Sequence, residues 1–148
     1  MAQKDGQYHV FVYGTLMRGE RNHAVMKDAV YLGAIRTARA GFDLVEFESG
    51  SAIGKFTPGL LDNGGYYISG EVYEVDAALL EELDAFELEG VEYTRKRIFL
   101  SDGTSAWTYI FIGSKKQVAV PRYIFSDEKQ RTKYWLSDVQ NGAISRVA

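Results

Sequence analysis

The chain contains no cysteine. That excludes disulfides, thiol nucleophiles and thiolate metal sites, fits a reducing compartment, and sets cytoplasmic as the expected location. Histidine is nearly as scarce. Only His9 and His23 are available, and they do not stand in the H-x-x-x-H spacing of a helical zinc site, so no metal is expected. No stretch approaches the roughly 18 consecutive apolar residues of a membrane span. The N-terminus, Met1 to Gln7, lacks the apolar centre of a secretory signal and reads as a loose leader. Neither sign of charge dominates: the net charge is −3 and the isoelectric point about 5.4. Nothing in that balance asks for nucleic acid or an anionic membrane as partner. The dinucleotide, Walker and nucleophile-elbow glycine motifs are all missing. Gly113-Ser114-Lys115-Lys116 lacks the earlier glycine a phosphate loop needs. Arg95-Lys96-Arg97 alternates across a strand and reads as a solvated edge.

What is present is an apolar fraction of 46% in 148 residues, enough for one self-sufficient core. We therefore expect a single domain over 1–148. The aromatics, 10 Tyr and 8 Phe, favour β-rich structure over a base-stacking surface. Strands are expected at Tyr8–Tyr13, Tyr31–Thr37 and Phe42–Phe47, the last two as a hairpin through Ala40-Gly41. A further segment, Phe56–Leu61, ends in an Asp62-Asn63-Gly64-Gly65 turn, and Tyr66–Val75 follows as a strand. Tyr93–Leu100 and Ser105–Ile112 form a hairpin through Ser101-Asp102-Gly103-Thr104. A short helix is expected over 22–26, and the firmest helix over 77–87, capped by Asp76. A last helix, capped by Ser126, is expected to run to about Ser137. Residues 48–55, rich in small side chains, form a candidate lid. The fold class is α+β.

Two stretches carry candidate chemistry. His9-Val10-Phe11-Val12-Tyr13 is a strand that stops at Gly14 and leads through Thr15 and Leu16 to Gly19. A strand ending in a glycine turn exposes backbone N–H groups that bind an anion or a developing oxyanion; the alternative is an ordinary strand-to-loop turn. The second stretch is the 77–87 helix. At about 100° per residue, Leu79, Leu80, Leu83 and Phe86 define its apolar face, and Glu87 lies roughly 50° from the centre of that face. If the helix runs that far, Glu87 continues the buried stripe. Burial then raises its pKa toward the range of a general base near neutrality. If the helix frays at Phe86, Glu87 turns to water. Gly90 is placed to end the helix in the left-handed conformation. Tyr93 and Arg95 share one strand face, either lining a polar cleft or simply half exposed.

Taken together, Val10-Phe11-Val12-Tyr13-Gly14-Thr15-Leu16-x-Arg18-Gly19 with Asn22-His23, and Gly70-Glu71-Val72-Tyr73-Glu74-Val75-Asp76 followed by Leu83-Asp84-x-Phe86-Glu87 and Tyr93-x-Arg95, resemble the gamma-glutamylcyclotransferase-like family. They come nearest its gamma-glutamylamine cyclotransferase branch, over residues 8–112. The resemblance implies a mixed β-sheet curled into a small barrel with surrounding helices, and a pocket at the end of the first strand. It places the base glutamate at Glu87 and the substrate loop at Tyr13, Gly14, Thr15 and Leu16. Tyr93, Arg95 and a later aromatic, Tyr123 or Phe125, are further candidates for the wall. The implied reaction cyclises a small-molecule γ-glutamyl group to 5-oxoproline, with no cofactor. A non-catalytic metabolite-binding domain on the same fold, or a plain interaction domain, are the readings it competes with.

Overall fold

A computed structural model describes residues 6–48 and 56–137. The elements run β1 (Gln7–Val12), a 3₁₀ turn (His23–Met26), β2 (Val30–Arg36), β3 (Phe42–Glu48), β4 (Phe56–Asp76), α1 (Ala77–Phe86), β5 (Tyr93–Phe99), β6 (Ser105–Phe111), β7 (Ile124–Asp127) and β8 (Thr132–Trp135). The architecture is α+β, a mixed sheet with few helices. Of the candidate lid, Glu48 ends β3 and residues 49–55 fall outside the described residues, as does most of the N-terminal leader.

β4 is the spine. Its first half pairs antiparallel with β3 and its second half with β2 on one edge and β1 on the other. The hairpin expected between β2 and β3 is therefore absent: both lie antiparallel along β4, one after the other. The expected turn at 62–65 also does not reverse the chain. Phe42 pairs with Tyr66 and Asp43 with Leu61, so Asp62 to Gly65 bulge out opposite one step of β3 while the strand continues. β6 pairs parallel with β1 at Val10↔Trp107 and with β4 at Leu60↔Ile110, which curls the sheet. The path ends at β5 and β7 and is not closed into a full barrel.

The last helix is overturned. Ile124–Asp127 and Thr132–Trp135 form an antiparallel hairpin. Ser126, expected as the cap, pairs with Lys133 inside the hairpin, and the Asp127 carboxylate accepts from Gln130 N at 3.2 Å in its turn, a use its side chain serves as readily as a helix start. Tertiary contacts decide the outcome. Trp135 is 2% exposed and donates Nε1–H to Glu20 at 2.9 Å, while β8 adds to β4 at Tyr67↔Thr132.

β1 is buried on both faces. Val10 and Val12 enter a core cluster with Tyr73, Leu83 and Trp135, and Phe11 and Tyr13 enter a second with Phe42, Leu60 and Ile68. α1 seats on the first through Leu79, Leu80 and Leu83, each such leucine contributing about 2 kcal/mol of burial. No helix among the described residues is long and apolar enough to cross a membrane.

Candidate active site

Asp76 starts α1, accepting from Leu79 N at 2.8 Å. The helix ends with Glu87 at its C-cap, still helical in backbone, its N–H bonded to Leu83 O at 2.9 Å. The left-handed residue is Leu88, at φ 51°, rather than Gly90, whose φ of 87° belongs to the next turn. Leu88 N bonds Ala85 O and Glu89 N bonds Asp84 O, the paired bonds that close a helix end. This sharp stop leaves Phe86, expected on the buried face, 42% exposed. Glu87 stays half-buried, within the cavity wall.

That cavity measures about 240 Å³ and lies at the end of β1. Of the residues singled out in the sequence, it gathers Tyr13, Gly14, Thr15, Leu16, Glu87 and Tyr93. It does not gather Arg95 or Tyr123. Arg95 Nε donates to Asp84 at 2.9 Å and its guanidinium lies 4.6 Å from the Trp107 ring. Tyr123 packs edge-on against Phe56 and Trp135 in the core. Phe125, the other aromatic considered, stacks on Tyr134.

The turn after β1 has an unusual division of partners. The carbonyl of Gly14 accepts from Met17 N, that of Thr15 from Asn22 N, and that of Leu16 from the His23 ring at 2.9 Å. A carbonyl only accepts, so His23 carries its proton on Nδ1. Asn22 Nδ2 adds a bond to Thr15 Oγ1 at 3.0 Å. The N–H groups of Gly14, Thr15 and Leu16 have no acceptor among the described residues. Three successive peptides thus spend their acceptors on the following segment and keep their donors free. Gly14 is required for this seating: a Cβ there would come within 2.4 Å of Pro58 Cγ on the cavity wall.

The Glu87 carboxylate has no hydrogen bond or ion pair among the described residues. Burial pushes its pKa up to about 7. The tyrosines around it, by contrast, are all hydrogen-bonded. Tyr13 donates to Tyr109 O at 2.7 Å, Tyr93 to Pro58 O at 2.9 Å, and Tyr109 to Asp84 at 2.7 Å. Burial raises all three pKa values well above the ordinary range, so these hydroxyls stay protonated donors. Among the cavity's groups with a shifted pKa, Glu87 is therefore the one that titrates near neutrality.

Several wall residues were not singled out by sequence. Arg21 donates to Phe56 O at 2.6 Å and to Thr57 Oγ1 at 3.0 Å, and burial lowers its pKa. It remains a cation. Thr57, Pro58, Glu92 and Lys115 also line the space. The signal available for Arg21 was its place between Gly19 and Asn22 in the first motif. No group of His, Asp and Glu among the described residues is arranged to hold a metal.

One cavity at the end of β1 is thus lined by a carboxylate and by a turn whose peptide N–H groups have no acceptor among the described residues, an arrangement suited to acyl chemistry. Comparison identifies the family. The chain belongs to the gamma-glutamyl cyclotransferase, AIG2-like family, whose model matches residues 10–135. A Vibrio cholerae protein named for gamma-glutamylcyclotransferase is 40% identical over 107 residues, covering 71% of this chain and 83% of that one. The gamma-glutamylaminecyclotransferase of Mus musculus is 43% identical over 82 residues, 53% of this chain and 54% of its own. The crystal structure of an AIG2-like protein from Mus musculus superposes with a TM-score of 0.58 at 31% identity, over 72% of this chain and 78% of that one.

Proposed function

We propose that the chain converts a γ-glutamyl amine to 5-oxoproline and the free amine, with Glu87 as base. The observation that carries this reading is that one cavity is lined by a carboxylate titrating near pH 7 and by three residues whose peptide N–H groups, like that carboxylate, have no partner among the described residues.

The substrate's α-amine titrates near pH ~8 and is mostly an ammonium at neutrality. Glu87 takes a proton from it, and the freed nitrogen attacks the γ-carbonyl of the same molecule. The new N–C bond closes a five-membered ring. The carbonyl oxygen becomes an oxyanion, held by N–H groups of Gly14, Thr15 and Leu16. Glu87 returns the proton to the departing nitrogen, the C–N bond breaks, and the carbonyl reforms. In total the α-ammonium gives up two protons, and both end on the amine that leaves. Arg21 supplies the positive field for the substrate's α-carboxylate. Since nucleophile and electrophile are parts of one molecule, folding it correctly supplies much of the acceleration. Neutral Tyr13, Tyr93 and Tyr109 shape the wall without competing for the proton.

Substrates are γ-glutamyl amines, such as γ-glutamyl-ε-lysine, or γ-glutamyl amino acids. The test is 5-oxoproline release from both classes by wild type and Glu87→Gln. Release by wild type alone supports the assignment. Near-normal release by the variant removes Glu87 as base. Ligand-induced thermal stabilisation without product would instead make the cavity a metabolite-binding site.

A further inference from the structure

We infer that Glu92 and Lys115 form a subsite for the leaving amine, one that reads a free amino-acid head group, ammonium and carboxylate together. Its role in turnover rests on the reaction proposed above.

Both residues line the cavity. Lys115 Nζ lies 3.8 Å from Glu92 Oε2, an ion pair too long for a hydrogen bond. Glu92 Oε2 is buried and has no hydrogen-bond partner among the described residues. A buried carboxylate oxygen left without a donor is uncommon, because its desolvation goes uncompensated. An incoming ammonium provides the missing donor. Lys115 is the matching cation, poised 5.3 Å from the Phe47 ring on the same wall.

The backbone holds the two residues in register. The Glu92 carbonyl accepts from Ile112 N at 2.9 Å and Gly113 N at 3.0 Å, which ties the segment leading to Lys115 onto the start of β5. Gly113 leaves room for the carboxylate: a Cβ there would fall 2.8 Å from Glu92 Oε2 and 3.0 Å from the Phe111 ring. The neighbouring rim is apolar, with Phe86 and Leu88 exposed at 42% and 55%. A methylene chain can lie on them while a charged end reaches the pair. An anion and a cation 3.8 Å apart complement a zwitterion, whose two charges sit on one carbon. A lone carboxylate or a lone ammonium satisfies one partner and leaves the other facing a like charge.

Four γ-glutamyl amides with leaving amines of nearly equal length test this: ε-lysine, 1,5-diaminopentane, 6-aminohexanoate and pentylamine. Wild type should favour the lysine compound in kcat/KM. Lys115→Met should shrink the lysine-to-diaminopentane ratio about tenfold, and Glu92→Gln the lysine-to-aminohexanoate ratio about as much. Lys115→Arg should restore most of the first ratio. Ratios within twofold of wild type in both variants would overturn the subsite. A second arm needs no turnover: calorimetry with ε-glutaryl-lysine, which lacks the attacking amine. Binding weakened about tenfold in both variants supports the subsite even if no substrate releases 5-oxoproline. Equal binding in all three proteins overturns it. Absence of product with the binding difference intact would instead fail the proposed reaction alone.

Discussion

Glu46 and Glu87 are both taken out of bulk water, and the protein treats them in opposite ways. Glu46 is 1% exposed, yet its carboxylate accepts from Arg122 N at 3.0 Å and Tyr123 N at 2.9 Å, and its own carbonyl accepts from Val118 N. Glu20 is similar, receiving Trp135 Nε1–H and Ser137 N–H. These carboxylates fasten the chain after β6 to the sheet. Glu87 is less deeply buried and receives no hydrogen bond from the described residues. Depth of burial therefore does not separate the proposed base from a structural carboxylate. The supply of donors does: hydrogen bonds compensate the charge of Glu46, and their lack leaves Glu87 poised to gain and lose a proton.

The comparison breaks most sharply by substitution. Glu87→Gln should lower kcat by roughly 10²–10⁴-fold, the usual span for removing a general base, measured by 5-oxoproline release. Glu46→Ala should leave two peptide N–H groups unsatisfied and cost about 3 kcal/mol in chemical denaturation. If Glu46→Ala instead abolished turnover without loss of stability, the division between the two glutamates would fail.

A pH series sharpens the contrast. The Glu87 carboxyl titrates near 4.5 in an unfolded chain and at about 7 in the folded one. A raised folded value favours the protonated form. Its contribution to stability is fully present below about pH 4.5 and is lost as pH rises through 7. Glu87→Gln escapes that loss. The variant should melt roughly 5–10 °C above wild type at pH 8, with the gap closing toward pH 4. Wild-type kcat/KM should fall about tenfold per unit as pH drops below 7, because the base must be ionised. The smallest effect concerns the helix that carries Glu87. Asp76→Ala should cost about 1 kcal/mol of stability through the lost cap.

Glu87 was legible because a helix advertises its buried face by spacing, and Leu79, Leu80 and Leu83 fixed that face before any coordinates did. β1 and the β5–β6 hairpin were legible for the same reason, a run of alternating or β-branched residues bounded by turns. Two signals misled. Asp62-Asn63-Gly64-Gly65 and Ser126-Asp127 carry the right local chemistry for a reversal and a helix start. Pairing with β3 and β4 redirected both, and local propensity gave way to tertiary contact. Arg21, Glu92 and Lys115 were not recognised because they reach the cavity from three separate segments, with no periodicity linking them. Arg95, placed by strand alternation beside Tyr93, instead found Asp84 and Trp107.

β4 bears on how the molecule is made. β1 is made before its partners, residues 71–76, and β2 and β3 likewise wait for segments of β4. The first three strands cannot be zipped into the sheet until β4 has been synthesised. Until then β1, with Val10, Phe11 and Val12, is an apolar strand with both edges open, the kind of segment that chaperones hold and that aggregates seed. Pairings this distant along the chain also predict refolding on the millisecond-to-second scale rather than in microseconds.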